Sequence, residues 1–205
     1  TISTFHSLGL RFLQIEHERA KLRRGFSIFD GDDQMAIIKD LATPGLKNDA
    51  LYSIQNLISA AKNNALSPEQ AAEAARSGRE REAAGIYARY QARLQAYNAV
   101  DFDDLIRLPL TLLEAEPDLA AGWRERLRYL LVDECQDTNG AQYRLLKQLA
   151  GPKGNMTCVG DDDQSIYAWR GAQPENLDQL ATDYPNLRVI KLEQNYRCTA
   201  RILRC

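Results

Sequence analysis

Apolar residues recur every three to four positions over most of the first 125 residues, and then give way to short continuous runs. After an opening β-type run, Thr1 to Phe5, the residues Leu8, Phe12 and Ile15 keep helical spacing. A charged stretch follows to Arg24. Asp30 stands as an N-cap before Met35, Ile37, Ile38 and Leu41, and Pro44-Gly45 closes that helix. The next helix spans roughly Asp49 to Lys62, with Leu51, Ile54, Leu57 and Ile58 on one side. Ser67-Pro68-Glu69-Gln70 reads as a helix start: the serine caps, the proline takes the first position, and the glutamine reaches back. An alanine-rich helix breaks near Ser77-Gly78, and a long one from about Glu80 to Tyr97 carries Ile86, Tyr90, Leu94 and Tyr97. Asp101 is expected to cap a further helix through Leu113, with Asp103 and Asp104 in its first turn. The spacing predicts no strand between residues 6 and 125.

Beyond that point the pattern changes. Tyr129 to Val132, Met156 to Val159 and Arg188 to Leu192 are short apolar runs that read as strands. Asn139 caps a helix carrying Tyr143, Leu145, Leu146 and Leu149, and Pro174 starts another. Continuous apolar strands alternating with helices predict a parallel sheet covered on both faces. The fold class expected is therefore α/β, with an all-helical subdomain inserted near the beginning. Thr199 reads as the N-cap of a last helix that stops before any C-cap, and the opening residues lack a natural start. Both ends are expected to be cut from a longer protein.

Composition changes this picture little. The 205 residues are 44% hydrophobic and 26% charged, as in an ordinary globular chain. A formal charge of -2 advertises no nucleic-acid binder, so any phosphate-binding surface must be local. No stretch approaches the roughly 18 apolar residues that span a membrane. Cys135, Cys158, Cys198 and Cys205 lack CxxC spacing, which speaks for reduced thiols rather than a zinc site or a disulfide framework. His17 and the cluster Lys21, Arg23, Arg24 read as solvated surface.

Three strand ends carry the chemistry. Val132-Asp133-Glu134-Cys135-Gln136-Asp137 delivers two adjacent carboxylates to the carboxyl end of a strand, where ligands bind in open α/β sheets. One such carboxylate can hold magnesium and the other can take a proton from an attacking water; the pair fits a solvated turn equally well. The second run, Val159-Gly160-Asp161-Asp162-Asp163-Gln164-Ser165-Ile166-Tyr167-Ala168-Trp169-Arg170-Gly171-Ala172, concentrates acids, an amide, two aromatics and a cation. Tyr167 and Trp169 suit a platform on which unpaired bases stack, although both could instead be core residues beneath the loop. The third, Leu192-Glu193-Gln194-Asn195-Tyr196-Arg197, offers an arginine for phosphoryl charge and a tyrosine for a base; taken alone it is equally a surface arginine beside a packed tyrosine.

Together these runs resemble the motor motifs of superfamily-one DNA helicases of the Rep and UvrD type, the Rep branch most closely. The resemblance extends to Thr4-Phe5-His6-Ser7-Leu8-Gly9 and to Asp101-Phe102-Asp103-Asp104-Leu105, and it covers essentially the whole chain. It implies a partial RecA-like parallel sheet: a strand of the first motor domain over 1–5, a helical inserted subdomain over 6–115, the rest of that motor domain over 116–196, and the start of a second over 197–205. It implies ATP and Mg2+ as cofactors. Asp133 would hold the metal, Glu134 would activate water, and Gln164 and Arg197 would meet the γ-phosphate. Arg170 would link the nucleotide and DNA sites, and Tyr196 would lie against adenine. Tyr167 and Trp169 would stack on single-stranded DNA, with Thr4 and His6 near its backbone. Family members translocate 3′ to 5′, so the implied partners are single-stranded DNA, single/double-strand junctions and replication or repair proteins, in the cytoplasm.

Cys135 departs from the aromatic usual in the family, and Cys198 from a common serine; neither removes a charge. The sequence contains no G-x-x-x-x-G-K-[ST] phosphate loop. The intact protein is thus expected to hydrolyse ATP and this segment alone is not. Two other readings stay open: a helical protein-interaction module with relic motifs, and the motor part of a helicase-nuclease.

Overall fold

A computed structural model describes residues 2–168, 171–199 and 201–202. Helix α1 (Phe5–Ile15) begins at Thr4, whose side chain accepts a hydrogen bond from the Ser7 backbone N–H. Of the strand expected over Thr1 to Phe5, none forms among the described residues 2–5. Thr4 has extended backbone, yet it serves as a helix cap, and Phe5 is already helical.

Strand β1 (Ser27–Phe29) follows, then α2 (Gly31–Leu41), capped reciprocally by Asp30 and Asp33. Next come α3 (Asn48–Asn63), α4 (Pro68–Ala74) with its Ser67–Gln70 capping box, and α5 (Gly78–Ala96) with a Ser77–Glu80 box. Strand β2 (Ala99–Asp101) then pairs parallel to β1, with Ile28 opposite Val100. This strand pair corrects the expectation of an unbroken helical stretch. Each strand is only three residues long, too short for a period to show in sequence. Asp101, expected as a helix cap, is also the last residue of β2, and its Oδ1 accepts the Asp104 backbone N–H at 2.8 Å.

Helices α6 (Asp104–Ala115) and α7 (Pro117–Leu127) lead to β3 (Leu130–Val132), α8 (Gly140–Ala150), β4 (Met156–Cys158) and α9 (Glu175–Asp183). Strands β3 and β4 pair in parallel, with Val132 opposite Cys158. The α/β character with parallel strands stands, as two separate two-stranded pairs among the described residues. The strand expected over Arg188 to Leu192 does not form, and Val189, Ile190 and Leu192 are exposed. A strand exists through backbone bonds to a neighbour, and an apolar run does not by itself supply one. The helix expected from Thr199 runs into residues 200 and 203–205, which lie outside the described ones.

Two large apolar clusters divide the helices. Phe12 and Leu13 of α1 pack with Leu105, Ile106 and Leu110 of α6, Trp123 of α7, and Leu145 and Leu149 of α8. Ile37, Ile54, Ile58, Ile86, Tyr87 and Tyr90 form the other cluster, from α2, α3 and α5. So α1 and α6, which fall within the helical unit expected over 6–115, pack with α7 and α8. Their contact is close. Pro109 inside α6 cannot donate to the Leu105 carbonyl one turn earlier. Gly9 lies against that same carbonyl: a Cβ there would sit 1.7 Å from the Leu105 oxygen, so only glycine fits.

Candidate nucleotide and DNA site

The parallel ladder continues past the ends of β3 and β4. The Val159 N–H donates to the Val132 carbonyl at 2.8 Å, and the Cys135 N–H to the Val159 carbonyl at 2.9 Å. This places Asp133 and Glu134 at the carboxyl end of β3, both exposed. The chain turns there through Glu134, at φ 51° and ψ 45°, a left-handed conformation uncommon outside glycine. The Glu134 N–H donates to Asp133 Oδ1 at 3.0 Å. Cys135 is fully buried within a third, small apolar cluster containing Tyr143 and Leu180.

Gln136 is buried to 1% exposure, and both ends of its amide are used. Its Nε2 donates to Glu134 Oε2 at 2.7 Å, and its Oε1 accepts the Asp161 backbone N–H at 3.2 Å. Asp161 in turn accepts from the Asp163 N–H on Oδ1 at 3.2 Å and from Gln164 Nε2 on Oδ2 at 2.6 Å. Glu134 and Gln164 are thereby joined in one hydrogen-bonded series. Sequence reasoning missed Gln136; the one available signal was an amide amid carboxylates, too little to assign it a part.

The far end of the second loop is fastened to the same turn. The Thr138 carbonyl accepts the Gln173 N–H at 3.0 Å and Asn176 Nδ2 at 2.9 Å, and Asn139 bridges to Ala172. Tyr167, between these fastenings, is 37% exposed. Trp169 and Arg170 lie outside the described residues, so the stacking and linking expected of them stay as expectations.

Tyr196 is 86% exposed and Arg197 is exposed too. The Arg197 N–H bonds to Asn195 Oδ1 at 3.0 Å, and no hydrogen bond or ion pair among the described residues holds either residue to the acidic turn. Thr4 is exposed at the start of α1, and its hydroxyl also donates to Ser7 Oγ at 3.0 Å. His6 packs edge-on to Phe102, ring centroids 6.2 Å apart, and burial lowers its pKa below the usual value. A neutral imidazole at pH 7 would meet a phosphate through a hydrogen bond rather than through charge.

Acidic groups dominate the strand ends: Asp133, Glu134, Asp137, Asp161, Asp162 and Asp163. Burial, and then the Glu134 charge, hold the Asp137 carboxyl above its usual range. Among the described residues no group of three or more His, Cys, Asp or Glu is arranged to hold a metal ion. Magnesium shared between one carboxylate, phosphate oxygens and waters needs no such group. The exposed Asp133 carboxylate at a strand end fits that mode.

The family model described as UvrD/REP helicase N-terminal domain matches residues 1–185. The chain is 50% identical over 206 residues to ATP-dependent DNA helicase Rep of Escherichia coli (strain K12), covering 99% of this chain and 30% of that protein. It is 43% identical over 206 residues to ATP-dependent DNA helicase PcrA of Bacillus subtilis (strain 168), covering 99% and 28%. The chain thus spans about 30% of the length of the curated relatives it matches. No described helix is long and apolar enough to cross a membrane.

Proposed function

Because this chain belongs to the UvrD/REP helicase N-terminal domain family, we propose that the protein carrying it is an ATP-dependent DNA helicase that translocates 3′ to 5′ on single-stranded DNA. Its substrates are single strands and single/double-strand junctions, its protein partners are replication or repair factors, and it works in the cytoplasm. The observation that carries the reading is the series Glu134–Gln136–Asp161–Gln164, which unites two motif ends at the carboxyl edge of parallel strands.

Asp133 would hold magnesium, which when bound would supply positive charge against the phosphate oxygens. Glu134 takes the proton of the attacking water; its carboxylate is held by Gln136 and that of Asp133 by the Glu134 N–H, so the two carboxylates divide these roles. Gln164 senses the γ-phosphate without adding charge. Arg197 reaches the same phosphate and Tyr196 lies on the adenine; both are exposed and able to meet a ligand. Tyr167 and Trp169 stack on bases, Arg170 links the two sites, and Thr4 with His6 lines the DNA backbone at the amino end of α1, where phosphate is favoured.

The inserted helical unit is best drawn between β1 and β2, over 27–101 rather than 6–115. The paired strands bring its entry and exit side by side, and α1 and α6 pack with α7 and α8.

In the full-length protein, Glu134→Gln should leave ATP binding within about twofold while lowering turnover by roughly 100-fold or more, the range general-base removal produces. Steady-state hydrolysis with nucleotide-binding titration measures both. Normal hydrolysis by this variant would remove Glu134 from its assigned role.

A further inference from the structure

We infer that Gln136 is a positioning residue that couples the Glu134 carboxylate to the loop bearing Tyr167. The inference rests on the reading of Glu134 as the water-activating group. Its orientation follows from its partners: a carboxylate only accepts, so Glu134 must meet the NH2 end, and a backbone N–H only donates, so Asp161 must meet the carbonyl end. A rotated amide would lose both bonds. At 1% exposure, Gln136 is closed to bulk solvent, so losing either bond is costly.

The surrounding backbone is shaped to this amide. At Gly160 a Cβ would sit 2.7 Å from Gln136 Oε1 and 3.3 Å from both Leu177 Cδ atoms. Glycine therefore leaves the slot that the amide occupies. On the other side Glu134 adopts its left-handed backbone, which turns its carboxylate onto Gln136 Nε2. The loop over 160–172 is fastened at its far end by Thr138 to Gln173 and Asn176, and at its near end by Gln136 to Asp161. Asp161 carries the connection on to Gln164, three residues before Tyr167.

A planar amide transmits displacement because its two ends cannot move independently. A base that shifts Tyr167 moves the Asp161 N–H, and Gln136 carries that motion to the Glu134 carboxylate. DNA occupancy is thereby read at the group that activates water, through one side chain.

The test uses the full-length protein. Gln136→Leu keeps the volume and removes both bonds. ATP hydrolysis is measured with and without single-stranded DNA, and backbone amide exchange over 160–164 is followed in nucleotide-free protein. The expected result is a KM for ATP within about twofold of the parent and a DNA-stimulated kcat roughly tenfold or more lower, since small misplacement of a reacting group has effects of that size. Exchange at the Asp161 N–H should rise at the same time. Gly160→Ala should reproduce most of the loss in the parent and add little in a Gln136→Ala background, where the 2.7 Å clash is gone and only the 3.3 Å approach to Leu177 remains.

An unchanged ratio of DNA-stimulated to DNA-free hydrolysis in Gln136→Leu would overturn the coupling, as would additive losses in the double variant. Should Glu134→Gln be inactive while Gln136→Leu keeps full stimulation, the coupling alone falls. Normal hydrolysis by Glu134→Gln would overturn both readings.

Discussion

Asp103, immediately before α6, sits in surroundings unlike those of a surface carboxylate. Burial, and then the Asp101 charge, push it up to about 6, against the opposing pull of a Ser59 hydrogen bond and the Lys62 charge. The folded protein therefore retains a proton that the unfolded chain, at its ordinary value of 3.8, has already released. The stability this proton supplies is complete below the unfolded value and is lost as pH rises through about 6. Asp103→Asn removes that loss. Relative to the parent, the variant should gain on the order of 2–3 kcal/mol between acid and neutral pH. Denaturant unfolding across that interval measures it, and a parent–variant difference that stays constant with pH would locate the retained proton elsewhere.

Between elements, the junction of α3, β2 and α6 is held by buried charge. Lys62 Nζ lies 2.6 Å from Asp101 Oδ2 and 2.9 Å from Asp104 Oδ2. The Tyr90 hydroxyl donates to the same Asp101 oxygen at 2.8 Å, and Arg107 Nε donates to Asp104 Oδ1 at 3.0 Å. Two carboxylates thus face two cations away from solvent, and removing one partner leaves uncompensated charge. Lys62→Met should cost about 3–5 kcal/mol, and adding Asp101→Asn in that background should return part of it. Urea unfolding of the single and double variants decides. A loss below about 1 kcal/mol, the worth of a surface pair, would mean that water reaches the junction.

For the molecule as a whole, the proposed reading gives the chain one side of a nucleotide site, and its sequence has no G-x-x-x-x-G-K-[ST] run to cradle phosphates. The isolated 205 residues should therefore show no DNA-stimulated phosphate release above background, whereas the full-length protein should. A phosphate-release assay of the two side by side checks this, and turnover by the isolated chain at the full-length rate would contradict the division of the site.

Local chemistry was legible along the chain because its causes are local. The caps at Asp30, Ser67 and Asn139 act over three residues, and helix faces such as Leu51–Ile54–Ile58 repeat within two turns. The acidic motif could be read because β3 must end where its carboxylates begin. Long-range pairing was not legible. Asp101 could be read as a carboxylate that accepts an N–H at a helix start, as its Oδ1 does from Asp104, but nothing local announced that its Oδ2 meets a lysine 39 residues away. The strands β1 and β2 pair with each other across the four helices α2 to α5, and Arg188 to Leu192 looked like a strand although no described neighbour pairs with it. By itself the sequence determined the family, the α/β class, and which residue types stand at the strand ends. Only the tertiary structure decided that Gln136 joins Glu134 to Asp161 and that α1 packs on α6. Those contacts depend on the direction of a side chain and the closeness of two backbones, and neither leaves a periodic mark on the sequence.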